Sequence, residues 1–280
     1  KLVKTLSRYF DYYINDAFSV SHRDQASITG FPRVIPGIIG RVMEKEIHGA
    51  EKIRFGKVLF VLGGVKPEEH IDLLNSRKDA EVLTCGLFGQ ACAIASGYNL
   101  GKQNEILKKR KINAGKELQK LLGKIDLHVP TDFAVDNNGK REEIDLEDFP
   151  SKHEIFDIGE RTVSKYSRKI KKARTVLMKG PAGRYEDKKF IEGTKDLLNA
   201  MVKSKGYTII AGGNTLSAMK HLNISKDKVK HVSLSGGAFI EYIAGKKLPG
   251  LEALKSFLKK KSRKEAFRKS FSKINQNKSK

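Results

Sequence analysis

Along this chain, short strand-forming runs alternate with glycine corners and with stretches of helical spacing. Val58–Leu62 (V-L-F-V-L) is a continuous apolar run of strand length, the pattern of a parallel strand buried on both faces. Gly63-Gly64 ends it, Lys66 follows, and Pro67 opens a helix carrying Ile71, Leu73 and Leu74. Glu81–Thr84, Leu127–Val129, Phe133–Val135, Glu154–Ile158 and Thr175–Met178 read as further short strands. The small residues of Gly86–Ser96 predict a helix, the basic stretch Glu105–Leu122 one long helix, and Phe190–Ser204 another. Nearer the start, residues 1–14 read as the end of a helix running into a β-prone Tyr12-Tyr13-Ile14. Asn15–Ser27 is polar and aperiodic, hence a loop, and Gly30–Gly37 is excluded from helix by Pro32 and Pro36. The spacing of Ile39, Val42, Met43 and Ile47 predicts a connecting helix from Ile38 to about Ala50. Strand, turn and helix alternate throughout, which predicts an α/β sheet with helices on both faces and its ligands off the carboxyl ends of the strands.

The stretch from Tyr207 to Gly250 uses one device twice. Tyr207–Ile210 is β-prone and breaks at Gly212-Gly213, after which Asn214 and Thr215 start a helix through Met219. His231–Ser233 is a second strand, breaking at Gly236-Gly237 before a helix with Phe239, Ile240 and Ile243. Two strand–glycine–helix turns in tandem predict neighbouring parallel strands whose helix N-termini open at one edge. Such an edge favours phosphate, because unpaired N–H groups and the positive end of the helix dipole point outward. Glycine lets the backbone come close.

Composition changes this picture little. At 280 residues the length predicts about two domains. No apolar run approaches the ~18 residues of a membrane span, and no signal peptide is visible. Cys85 and Cys92 read as reduced, buried thiols of a cytoplasmic protein rather than a disulfide or metal pair. The net charge of +23 admits nucleic acid, acidic membrane or phosphorylated small molecules as partners. From Lys255 onward eleven Lys and Arg stand against one acid, Glu265, and much of the rest lies on solvated helix faces, which argues against nucleic acid. In that tail Leu251, Leu254, Phe257 and Leu258, then Phe267, Phe271 and Ile274, predict a helix with one apolar stripe and disordered final residues.

Taken in order, six motifs resemble the phosphoglycerate kinase family: Y-I-N-D-A-F-S-V-S-H-R-D-Q-A-S, V-L-G-G-V-K, D-I-G-E-R-T, G-P-A-G-R-Y-E, A-G-G-N-T, and V-S-L-S-G-G-A followed by G-K-K-L-P-G-L-E-A-L. The L-G-G-V-K-P-E-E style is similar to archaeal members. The resemblance implies two three-layer αβα domains with Rossmann-like parallel sheets, joined by a helix and a hinge. On that plan residues 1–37 are a remnant of an N-terminal substrate domain and 38–56 the connecting helix. Residues 57–245 form the nucleotide domain, and 246–280 a segment returning to the first domain with a basic tail. Because the chain starts at Lys1 inside a helical pattern, we expect the N-terminal domain to be incomplete.

The implied activity is reversible phosphoryl transfer between 1,3-bisphosphoglycerate and Mg-ADP, giving 3-phosphoglycerate and ATP, in a cytoplasmic monomer or homodimer. On the substrate side the resemblance implies Arg23 as a clamp for phosphate or carboxylate, and Asp16 as a residue that orients its loop or touches ligand. Lys66 follows the transferring phosphoryl group, Glu186 holds the ribose, and Gly180, Gly212, Gly213 and Thr215 line the nucleotide. The N–H groups of Gly236 and Gly237 cradle the phosphoryl group in flight. The chemistry agrees, since phosphoryl transfer needs positioning, positive charge and N–H donors more than covalent help. Plainer readings stand beside these: Arg23 as a surface arginine, Lys66 as a turn cap, Glu186 as a solvated carboxylate, and His22, His70, His153 and His221 as ordinary histidines.

The departures are specific. Asn214 stands where the family has an aspartate, leaving only a carbonyl oxygen for Mg²⁺. Ala211, Leu234 and Ser235 replace usual residues of the glycine turns. His70 replaces a frequent second lysine, and Lys179 an asparagine. With the expected truncation, these imply weak ADP or ATP binding and little turnover. They also keep open an impaired paralogue that acts as a nucleotide-binding protein.

Overall fold

A computed structural model describes residues 1–54, 56–112 and 115–260. In chain order its strands are β1 (Tyr13–Asn15), β2 (Gly37–Ile39), β3 (Leu59–Leu62), β4 (Glu81–Thr84), β5 (Asp126–His128), β6 (Asp132–Asn137), β7 (Lys140–Asp145), β8 (Glu154–Ile158), β9 (Thr175–Lys179), β10 (Tyr207–Ala211) and β11 (His231–Ser233). The α-helices are α1 (Leu2–Leu6), α2 (Arg41–Arg54), α3 (Pro67–Ser76), α4 (Gly86–Ala95), α5 (Lys102–Lys109), α6 (Gly115–Leu121), α7 (Glu160–Lys172), α8 (Glu192–Lys203), α9 (Gly213–His221), α10 (Gly236–Ile243) and α11 (Pro249–Lys260). The described residues separate into two compact units, residues 51–236 and residues 1–50 with residues 237–260.

The larger unit is built on a six-stranded sheet in the order β11-β10-β9-β3-β4-β5. Every pair in it is parallel, and each connection between its successive strands includes at least one helix, as parallel pairing requires. β3 lies inside the sheet, and all four of its residues are buried, which is why its sequence is unbroken Leu-Phe-Val-Leu. The core gathers Val61, Leu83, Val176, Met178 and Ile210 from the sheet, with Tyr166 and Ile170 of α7 and Leu197 and Met201 of α8.

A second sheet, order β7-β6-β8, is antiparallel. The alternation along the chain predicted parallel sheets only, and β7 was not anticipated. Its hairpin turns at Asn138 (φ 51°) and Gly139 (φ 81°), the two left-handed residues a tight hairpin needs, and Asn-Gly is the strongest short signal for that turn. Asp132, at the start of β6, is buried and caps α7 from outside the helix. Its carboxylate accepts the Arg161 N–H (2.9 Å) and the Thr162 N–H (2.7 Å).

The basic stretch Glu105–Leu122 is not one helix. α5 ends in a Schellman cap: Lys111 turns left-handed at φ 56°, its N–H reaches Lys108 O, and the Ile112 N–H reaches Leu107 O, each at 3.0 Å. Lysine rather than glycine holds the left-handed position, so no glycine marks the end.

In the smaller unit, β1 and β2 pair in parallel, Tyr13 opposite Gly37 and Asn15 opposite Ile39. Ile38 and Ile39 therefore belong to a strand, and the connecting helix begins at Arg41 rather than Ile38. Asp16 Oδ1 accepts the Met43 N–H (2.9 Å), so a residue from the preceding loop supplies the first-turn partner that fixes this start. Within Asn15–Ser27 the chain makes a short 3₁₀ turn, Phe18–Val20, and a π turn opens at Ala26 and runs to Gly30. Phe31–Arg33 closes one 3₁₀ turn, tolerating Pro32 because its missing N–H falls in the first turn. α11 packs on this region, with the Gly250 N–H donating to Ser21 O (2.9 Å). The expected stripe at Phe267, Phe271 and Ile274, and the basic tail beyond Lys260, lie outside the described residues. Among the described residues no helix is long and apolar enough to cross a membrane.

Replacing Asp132 with alanine strands two N–H groups at the start of α7 and should cost about 2 kcal/mol in urea unfolding. Asp132→Asn, which keeps one acceptor oxygen, should cost less.

Candidate functional site

Because β3, β4, β9, β10 and β11 run parallel, the chain leaves all five at one edge of the sheet. The glycine corners therefore share a single rim. The Gly63 N–H donates to Lys179 O (2.8 Å), the Gly64 N–H to Pro181 O (3.0 Å) and the Gly86 N–H to Ala182 O (2.8 Å). Gly180 has φ +88°, and a Cβ there would stand 2.2 Å from Gly63 O, so only glycine lets these two backbones meet. Thr215 joins this corner to the next. Its buried hydroxyl accepts the Gly180 N–H (2.8 Å) and donates to Ala211 O (3.1 Å). Gly212 (φ +90°) donates to Ser233 O (3.3 Å), and a Cβ on Gly236 would lie 3.4 Å from Gly212 Cα.

Gly213 and Gly237 differ from these, since a Cβ on either would meet nothing within 4 Å. They stand in the first turns of α9 and α10, where N–H groups lack helical partners and the dipole is positive.

A cavity of about 250 Å³ opens beside the corners, lined among others by Gly64, Gly86, Pro181, Glu186 and Asn214. Glu186 and Asn214 are both exposed. Its far wall was not foreseen: Arg184 lies 3.5 Å above the Phe156 ring and 3.3 Å from Glu154, and Arg110 also lines the space. Arg184 sits inside the G-P-A-G-R-Y-E motif, so that corner was legible, but Phe156 and Arg110 come from distant segments with no motif.

Lys66 precedes α3 and is exposed, with Nζ 3.2 Å from Glu69 Oε1. Lys179 Nζ pairs with the other oxygen of the same carboxylate. Burial by itself would raise the Glu69 carboxyl, but the ammonium groups of Lys179 and Lys66 outweigh it and hold the group below the usual range.

His70 is a core residue. It is 1% exposed, packs edge-on to Phe88 at 4.8 Å, and its Nε2 lies 2.8 Å from Gly63 O. A carbonyl only accepts, so Nε2 carries the proton and donates. Burial, then the charge of Lys179, push its pKa down to about 3, and the ring is neutral.

The segment Asp157–Thr162 serves the fold. Asp157 Oδ2 accepts the Gly193 N–H (2.8 Å) and Arg141 Nη1 (3.1 Å), and Oδ1 accepts the Ile158 N–H (2.9 Å). Burial nevertheless raises its pKa to about 7. Asp16 and Arg23 belong to the smaller unit, where Asp16 caps α2 and Arg23 is exposed just after the Phe18–Val20 turn. Among the described residues one metal-like group occurs, Glu81, Asp126 and His128, around the start of β4 and β5. Lys169 Nζ, 2.6 Å from Glu81, already supplies its positive charge.

An open parallel α/β sheet with glycine-lined helix starts along its carboxyl edge defines a class of proteins that take phosphate-bearing ligands at that edge. A model of the family described as phosphoglycerate kinase matches residues 1–246. The phosphoglycerate kinase of Methanothermus fervidus is 37% identical over 271 residues, covering 92% of this chain and 65% of that protein. That of Sulfolobus acidocaldarius is 39% identical over 266 residues, covering 90% and 63%. The crystal structure of phosphoglycerate kinase from Pyrococcus horikoshii OT3 superposes with a TM-score of 0.85 at 35% identity, covering 92% of this chain and 67% of that one. The chain belongs to the phosphoglycerate kinase family. It spans a little under two thirds of the length of the curated relatives it matches.

The His70 ring should show an Nε2-protonated tautomer by ¹⁵N NMR and no titration between pH 5 and 8. Its folded pKa of about 3 lies below the ordinary 6.5, so the unfolded chain binds the extra proton. Its contribution to stability is therefore whole above pH 6.5 and falls by about 1.4 kcal/mol per pH unit on acidification toward pH 3. His70→Gln should flatten that slope.

Proposed function

We infer that this chain forms the nucleotide-binding part of a phosphoglycerate kinase. In the whole protein it serves phosphoryl transfer between 1,3-bisphosphoglycerate and Mg-ADP. The observation that carries the reading is the lacing of the Gly63, Gly180, Gly212 and Gly236 corners along one rim, beside a cavity holding Glu186 and Asn214. On this reading the cavity takes the base and ribose of ADP or ATP, with Glu186 on the ribose hydroxyls. The phosphates lie against the N–H groups of Gly213 and Asn214 at the start of α9, beside the Gly236 corner. Lys66 accompanies the transferring group, since an exposed ammonium paired with one carboxylate can turn to an anion at little cost. Thr215 acts through its hold on Gly180 rather than by touching ligand. Arg23 and Asp16 keep the substrate roles that the resemblance implies. Asp16 is in that case a positioning residue, because its carboxylate is engaged by α2.

Magnesium fits this donor set only loosely. Asn214 offers one neutral oxygen and no carboxylate, whereas Mg²⁺ is commonly held by one or two carboxylates together with substrate phosphates. When bound, the ion would neutralise charge on the phosphates, and this chain's part is to hold those phosphates by N–H groups and lysine.

Calorimetry should detect ADP binding to the folded chain, with little gain from added Mg²⁺. Asn214→Asp should tighten Mg-ADP by about tenfold or more while leaving metal-free ADP unchanged or weaker. A folded sample that binds neither ADP nor Mg-ADP overturns the reading.

A further inference from the structure

Two lysines converge on one carboxylate at the glycine rim. Lys66 and Lys179 take separate oxygens of Glu69, so the three groups carry a net charge of +1. The lysines are not equivalent. Lys66 is exposed, whereas the Lys179 residue is only 7% exposed. Lys179 is the last residue of β9, the strand between β3 and β10, so its stem leaves the sheet between the Gly63 and Gly212 corners. Its Cγ lies 3.9 Å from where a Gly212 Cβ would stand. A nearly buried ammonium is costly unless well compensated, and here it shares its only described counter-ion with a second lysine that could neutralise that carboxylate alone. α3 brings no other cation to the rim, because His70, next to Glu69, is neutral and bonded to Gly63 O.

We propose that Lys179 is a second phosphate-binding cation of this site, turning from Glu69 to the polyphosphate of a bound nucleotide while Lys66 keeps the Glu69 carboxylate neutralised. This rests on the nucleotide reading above and adds to it the source of the second charge. The cation comes from the end of a sheet strand and is held ready by a carboxylate on α3.

The test compares ADP with adenosine, which lacks phosphate, on the wild-type chain, Lys179→Gln and Lys179→Arg. A charge-assisted hydrogen bond to phosphate predicts that Lys179→Gln weakens ADP about 10- to 100-fold. Adenosine should stay within about twofold, Lys179→Arg should recover most of the loss, and the salt dependence of ADP binding should become shallower. In wild-type protein labelled at lysine ¹³Cε, the Lys179 resonance should move on adding ADP and stay still on adding adenosine; this decides the matter even if the glutamine variant does not fold. Equal ADP binding by wild type and Lys179→Gln overturns the proposal, as does a parallel loss of adenosine, which marks a merely structural lysine. Failure of the wild type to bind ADP at all instead removes the nucleotide reading beneath it.

Discussion

The meeting of Gly63 with Gly180 sets the geometry of the larger unit. Two peptide planes come together where β3 and β9 end, closer than any side chain would allow. That contact holds the strand ends level, so the loops that follow start from one height along the rim. Thr215 carries the same spacing across to β10, and the approach of Gly236 to Gly212 extends it to the start of α10. A site for a charged ligand needs donors fixed before the ligand arrives. Here they are fixed by hydrogen bonds between main-chain groups and by the one buried hydroxyl of Thr215.

A few carboxylates of this basic chain hold its fold together. Asp132 and Asp16 each close the start of a helix to which they do not belong, and Asp157 ties β8 to α8 through Gly193. Each job needs an acceptor with two or more lone pairs, which a short acidic side chain supplies, and Asp132 and Asp157 supply it in the interior. Glu69 alone among these is shared with cations at the rim. The positive excess is therefore left toward solvent and toward the site.

What the sequence disclosed and what it hid differ in kind. Val58–Leu62 was legible because burial on both faces leaves no room for a polar residue. The glycine corners were legible because only one residue type survives a positive φ beneath a neighbouring backbone. The Asn138-Gly139 hairpin was equally legible in principle and was masked by the stronger parallel pattern around it. The break after Lys109 was not, because Lys111 holds a left-handed position without the usual residue. The true start of α2 depends on Asp16, which lies well upstream, and the cavity wall of Phe156, Arg184 and Arg110 is assembled from three separate segments. Such features are products of packing and leave no local spacing to read.

Beneath this floor lies Cys85, whose sulfur would stand 2.7 Å from a Cβ on Gly63. The thiol is fully buried, and burial pushes its pKa far up, so in the closed structure it is protonated and out of reach of alkylating or oxidising reagents. Any adduct there would have to lift the first corner away from the second. The thiol is thus a silent clock: its rate of capture would count the excursions in which the floor under Gly63 opens, a breathing of the rim that no ligand measurement reports.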